Sequence, residues 1–125
     1  REYGGFYQHV DVENTVPEEP WRWTQYGPYP ADWDDKIWWV QAEAVVGGVN
    51  AWQITGDEKY LDSALKSWAY IKAEIINGPA GEWFASGKNS PDEENSHLLC
   101  GPWKCPYHNA RAAFEIYERC EALEK

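Results

Sequence analysis

Between Asp35 and Ile76 apolar side chains recur three and four residues apart, the spacing of helices with one buried side. Trp38, Ala42, Val45, Val49 and Trp52 form one such stripe; Leu61, Ala64, Leu65, Trp68, Ile71 and Ile75 form a second. The first helix is expected over about 35–54, capped by Asp34 or Asp35 and ended by Thr55-Gly56. The second is expected over about 58–76, capped by Asp57 and stopped by Asn77-Gly78-Pro79. With Thr55-Gly56-Asp57 alone between them, the two must fold back as an antiparallel hairpin. A third helix is expected from near Pro106 to about Leu123, with Ala110, Ala113, Phe114 and Tyr117 as its apolar stripe.

Elsewhere the periodicity is weak. Gly4–Val10 alternates imperfectly and reads as a short strand, and Gly81–Ala85 as another. Pro17–Trp33, rich in Pro, Trp and Tyr, reads as an ordered loop packed on a scaffold. Residues 86–102 read as a polar loop in which Asp92-Glu93-Glu94 form a solvated face. The chain therefore divides into a strand and loop region over 1–34, a helical hairpin over 35–76, a strand and loop over 77–104, and a terminal helix over 105–125. Three helices fit either a small bundle or one and a half hairpins of a larger helical toroid. The amphipathic pattern does not separate the two.

Composition narrows the function. Eleven basic against 21 acidic side chains give a net charge of -10, which repels phosphate backbones and anionic lipid. No nucleic-acid or membrane partner is expected. There is no apolar run of membrane-spanning length and no signal-peptide layout, and three cysteines suit a reducing compartment, so the cytoplasm is the expected location. The chain starts at Arg1 and contains no Met, so it is expected to be processed or part of something longer. Nine Trp and eight Tyr are an unusual load. Each could fill a helical core, yet as a set they suit stacking on the C–H faces of sugars.

Two constellations carry candidate chemistry. Trp39 and Glu43, four apart on the first helix, share a face turned away from the core stripe. There an indole could stack on a sugar while a carboxylate accepts from its hydroxyls; equally, Trp39 could be core and Glu43 merely solvated. The second is the run Gly101-Pro102-Trp103-Lys104-Cys105-Pro106-Tyr107-His108-Asn109-Ala110-Arg111. With Pro106 at the first helical position, His108 falls in the first turn, where the positive end of the dipole favours an uncharged imidazole base. Arg111 follows on the same face and could bind an oxyanion, and Trp103 could cover the same cavity. The alternative is a histidine merely satisfied at a helix start. Cys100, Cys105, His108 and Cys120 are zinc-type ligands, but their spacing matches no common finger, and no metal is expected. His9 and His97 receive no role.

These motifs resemble one family. Asp35-Lys36-Ile37-Trp38-Trp39-Val40-Gln41-Ala42-Glu43-Ala44-Val45-Val46-Gly47 is similar to the tryptophan-rich helix of the cellobiose 2-epimerases in the N-acylglucosamine 2-epimerase superfamily. The 101–111 run is similar to their histidine motif, and Thr55–Leu61 and Gly81–Phe84 fit in order and spacing. The resemblance implies an all-α fold, the C-terminal portion of an (α/α)6 barrel with short β-hairpin-like connections, completed by chain before Arg1. It implies cofactor-free epimerisation at C2 of the reducing-end sugar of a β-1,4-disaccharide through an enediolate. Carried over by position, His108 matches a general acid/base. Trp39 and Trp103 match sugar-stacking tryptophans, Glu43 a hydroxyl-binding carboxylate, and Arg111 a binding residue of the same motif. The family's second histidine has no match, so these 125 residues alone are expected to be inactive. An N-acylglucosamine 2-epimerase or aldose–ketose isomerase acting on monosaccharides, a non-catalytic carbohydrate-binding module and a zinc-stabilised interaction domain are the competing expectations.

Overall fold

The structure, a computed structural model, describes residues 4–6, 21–24, 27–30, 35–88, 90 and 96–123. Its elements are β1 (Trp21–Thr24), β2 (Gly27–Pro30), α1 (Trp38–Thr55), α2 (Glu58–Tyr70, continued by a π-helical turn at Ile71–Ile75), β3 (Ile76–Asn77), β4 (Glu82–Trp83) and α3 (Tyr107–Leu123). The α1–α2 hairpin forms as its punctuation dictates. Gly56 ends α1 with φ 71°, a left-handed conformation costly for any side chain, and its N–H donates to the Trp52 carbonyl at 2.7 Å. Asp57 then caps α2, its carboxylate accepting from the Lys59 N–H at 3.1 Å.

The start of α1 departs from expectation. Its N-cap is Ile37, with no side-chain capping bond. Asp35 is buried and accepts from Ser86 Oγ at 3.0 Å, while Asp34 lies outside the described residues. The Trp38 N–H, one of the donors a helix start leaves unsatisfied, donates to the Ala85 carbonyl at 2.9 Å. A tertiary contact thus replaces the local cap, and the helix begins three residues later than its acidic flank suggested.

Packing follows small residues more than large ones. A Cβ on Gly48 would sit 2.9 Å from the Tyr60 carbonyl oxygen and 3.0 Å from Ala64 Cβ, so bare backbone lets α1 and α2 close up here. Trp38, Ala42, Val45 and Val46 are buried on α1, and Ala64, Ser67, Ile71 and Ile75 along α2 and its π turn. Leu65 and Trp68, expected inside, are exposed. On α3 the correction is larger. Asn109 and Ala112 are buried and Ile116 packs with Trp83 on the Ala42–Val46–Ala112 cluster, whereas Ala113, Phe114 and Tyr117 of the expected stripe are exposed and Ala110 is half-buried.

Glu43 meets His108 and Arg111 near the starts of α1 and α3, and Gln53 meets Arg119 near their ends, so these helices run side by side in one direction. The reversed α2 packs on α1 but scarcely touches α3. A closed three-helix bundle would pack all three pairs around one core. The observed open arc of one and a half hairpins is the wall of a helical toroid.

β3 and β4 pair antiparallel, Ile76 opposite Trp83 and Asn77 opposite Glu82, so the strand expected over Gly81–Ala85 is two residues long. β1 and β2 form a hairpin, in register from Trp21–Pro30 to Thr24–Gly27, inside the stretch expected to be a loop. Pro28 and Pro30 mask such a strand in sequence, since proline donates nothing to a ladder; a two-stranded ribbon tolerates it on its open edge. Of the strand expected over Gly4–Val10, residues 4–6 are not in a strand and the rest lie outside the described residues. The fully buried Gln41 amide pairs with this segment as a strand would: Oε1 accepts from the Phe6 N–H at 2.8 Å and Nε2 donates to its carbonyl at 2.6 Å. Among the described residues, no helix is long and apolar enough to cross a membrane.

Candidate active site

α1 and α3 begin side by side, and there the candidate side chains converge. The Pro106 carbonyl accepts from the Ala110 N–H at 2.9 Å, which makes Pro106 the N-cap, one position before that expected, and keeps His108 in the first turn. His108 Nδ1 lies 2.8 Å from Glu43 Oε1. The other Glu43 oxygen accepts from Arg111, whose second terminal nitrogen donates to Glu115 Oε1 at 2.7 Å, one turn further along α3. Arg111 therefore bridges two carboxylates instead of standing beside His108 as an open cation.

These contacts set the protonation pattern. Burial alone would raise the Glu43 carboxyl, but hydrogen bonds from Arg111 and His108, with the charge of Arg111, outweigh it and hold it below the ordinary value of 4.5. Near neutral pH Glu43 is an ionised, acceptor-only group, so the hydrogen between it and His108 resides on Nδ1. In the uncharged ring, Nε2 then keeps its lone pair. The side chains of His108, Glu43 and Arg111 are 32 %, 36 % and 31 % exposed, reachable by a small polar molecule yet partly shielded from water.

Aromatic rings frame the imidazole. Trp39, one turn before Glu43 and exposed, tilts at 40° with its ring centre 5.7 Å from that of His108. Tyr107 meets the imidazole edge-on at 5.0 Å. The neighbouring tryptophans divide the work of α1: Trp38 is core and Trp39 lines the site. Trp103 is 73 % exposed, on the turn closed by the Gly101 N–H donating to the Lys104 carbonyl at 2.9 Å, just before α3. Four of the five sequence candidates thus share one place, and Trp103 stands five positions before His108 in the chain. Cys100, Cys105 and Cys120 are exposed free thiols, and among the described residues no three His, Cys, Asp or Glu side chains converge as a metal site would need. His97 packs against Phe84, ring centres 5.4 Å apart; His9 lies outside the described residues.

Beneath the site lies a network that sequence reading missed. Glu82 Oε1 accepts from the Trp83 N–H at 2.6 Å, Asn109 Nδ2 at 2.8 Å and Lys104 Nζ at 3.2 Å. Burial pushes the Glu82 carboxyl up, but these donors more than offset it and bring it below the ordinary range. The Lys104 ammonium also lies over the Trp38 ring, 5.3 Å from its centre. The available signal was a lysine between Trp103 and Cys105, with nothing to mark a partner 22 positions earlier. The whole arrangement suits proton transfer: a held imidazole with one free nitrogen, beside an indole face and a carboxylate–guanidinium pair.

The family model of N-acylglucosamine 2-epimerase (GlcNAc 2-epimerase) matches residues 1–112. A cellobiose 2-epimerase of Ruminococcus albus is 47% identical over 85 residues, which are 67% of this chain and 22% of the relative. The solved sugar epimerase from a ruminal bacterium superposes with a TM-score of 0.60 at 41% identity, over 74% of this chain and 25% of that one. The cellobiose 2-epimerase of Bacillus thermoamylovorans superposes with a TM-score of 0.58 at 42% identity, over 68% of this chain and 22% of that one. The chain thus spans a quarter or less of the length of these proteins.

Proposed function

Because this chain belongs to the N-acylglucosamine 2-epimerase family, we propose that it carries one half of the proton-transfer machinery of a sugar 2-epimerase acting on a β-1,4-disaccharide of the cellobiose type. The observation behind this reading is the His108–Glu43 hydrogen bond, which leaves Nε2 as the free base. In the open-chain sugar the C2 proton is acidified by the neighbouring aldehyde. His108 Nε2 takes it, and the electron pair of the broken C–H bond forms the enediolate. Glu43 stabilises the resulting imidazolium through Nδ1. A proton delivered to the opposite face of C2 gives the epimer, and each turnover leaves the sugar's composition unchanged. The acid that delivers it comes from chain outside these 125 residues, and exchange with solvent returns it and His108 to their starting protonation.

Trp39 and Trp103 stack on the sugar rings, Glu43 accepts from a hydroxyl beside its bond to His108, and Arg111 steadies the developing oxyanion with its remaining N–H donors. The relatives from R. albus and B. thermoamylovorans are cellobiose 2-epimerases, which favours a disaccharide substrate. The remaining helices of the barrel would cover Leu65, Phe114 and Tyr117, which are 55 %, 70 % and 63 % exposed, and the isolated 125 residues are inactive on this reading. The free thiols suit the cytoplasm.

Product analysis of the full-length protein with cellobiose, mannose and N-acetylmannosamine in heavy water tests the proposal. Conversion of cellobiose to glucosyl-mannose with deuterium at C2 is expected. Turnover of N-acetylmannosamine alone would favour the N-acylglucosamine enzymes, and sugar binding without exchange a non-catalytic module.

A further inference from the structure

The proton-transfer scheme makes no use of the Glu82 network, although it bonds Lys104, next to Trp103, and Asn109, next to His108. We propose that Glu82 is a positioning residue: through Lys104 it holds the turn that bears Trp103, and through Asn109 the helix start that bears His108. For its kinetic readout this rests on the epimerase reading above.

Lys104 is 3 % exposed, and an ammonium so buried needs a counter-charge. Glu82 Oε1 supplies it at 3.2 Å, with the Trp38 ring beneath. The backbone of the same lysine closes the Gly101–Lys104 turn, so pinning its side chain fixes one end of the loop presenting Trp103. Asn109 follows His108 directly and is buried. Its Nδ2 donates to Glu82 at 2.8 Å, while its buried Oδ1 has no hydrogen-bond partner among the described residues. Among the described residues the carboxylate alone orients the amide, at the expense of its other end. This fixes the rotation of α3 at the residue beside the imidazole. Glu82 is itself held by β3–β4 pairing and by the Trp83 N–H, contacts that involve no backbone of α3. One carboxylate oxygen therefore registers both the stacking loop and the base against a common frame.

The test uses Lys104→Met, Asn109→Ala and Glu82→Gln in the full-length enzyme, with kcat and KM for cellobiose measured well below each melting temperature. Lys104→Met is expected to raise KM about fivefold or more with a smaller change in kcat, because it loosens Trp103. Asn109→Ala is expected to lower kcat about tenfold or more with a smaller change in KM, because it loosens His108. Glu82→Gln should move both. Should Glu82→Gln fail to fold around an unpaired Lys104, the other two decide. Methionine replaces the ammonium without stranding Glu82, whose side chain is 21 % exposed. Folded variants with kcat and KM within about twofold of the parent, whatever their melting temperatures, overturn the proposal. Imidazole NMR keeps the test independent of turnover: Asn109→Ala should shift the His108 ring signals, and unshifted signals also overturn it. A parent enzyme inactive on every sugar tried would instead count against the epimerase reading.

Discussion

Glu43→Gln preserves the shape of the site and changes what its side chain can accept. Glu43 now accepts twice, from His108 Nδ1 at 2.8 Å and from Arg111. A glutamine has one oxygen and one NH2, and Arg111 is a donor only, so the oxygen must choose. A bond from a guanidinium contributes about 1.5–3 kcal/mol against about 0.5–1.5 for a neutral N–H, which leaves a bias of about 1 kcal/mol toward Arg111 once one-third exposure is allowed for. The NH2 then faces Nδ1, which must accept, and the ring hydrogen moves to Nε2. That tautomer cannot take a proton from C2. About 1 kcal/mol leaves roughly a sixth of the molecules productive. Loss of the carboxylate opposite the imidazolium costs about another 1.5–3 kcal/mol in the transition state. Together these predict that deuterium exchange at C2 falls by roughly 10²- to 10³-fold, within the ~10⁴-fold that a wrong histidine tautomer costs elsewhere. The assay is NMR of saturating cellobiose in heavy water with the full-length variant, alongside calorimetric binding, expected to weaken less than about tenfold. Exchange within about threefold of the parent would refute the tautomer argument.

Three further outcomes test the frame and the charge pattern. Ile71→Ala empties a fully buried site at the α2–π junction and should cost about 2–5 kcal/mol, read from urea or thermal unfolding; a loss under about 1 kcal/mol would contradict the packing. Gly87→Ala would bring a methyl group well inside contact with the Tyr70 hydroxyl and 3.0 Å from its Cζ, a destabilisation of about 1–3 kcal/mol that Tyr70→Phe should partly relieve. An additive double-mutant cycle would place the strain elsewhere. Finally, the Glu43 carboxyl is held below 4.5, so its ionisation stabilises the fold above that pH, and the gain is lost as pH falls through the lower folded value. Melting temperature should therefore drop more steeply on acidification below 4.5 in the parent than in Glu43→Gln, and parallel curves would remove Glu43 from the acid response.

Helix punctuation was legible because it is local. Gly56 and Asp57 each act within four residues, so the α1–α2 hairpin could be read directly. Local reading failed wherever a distant segment supplied the partner. The first donor of α1 goes to the Ala85 carbonyl while Ser86 occupies Asp35, and the inward face of α3 is chosen by what fits beside Ala42 and Val46. Small Ala112 meets that demand, and the larger Phe114 and Tyr117, which look like core, do not. Trp39, Glu43, His108 and Arg111 could be nominated because each sits in a motif with chemical character. That Glu43 bonds His108 across 65 positions, and that Glu82 bonds both Lys104 and Asn109, are facts of tertiary packing that helix spacing does not encode.

Solvent exchange at C2 in full-length His108→Ala, with cellobiose binding measured on the same sample, bears most directly on the acid/base assignment. Loss of deuterium incorporation by about 10³-fold or more, with binding retained within about tenfold, is the predicted result. Exchange at the parent rate in a variant that still binds cellobiose would take the imidazole out of the chemistry.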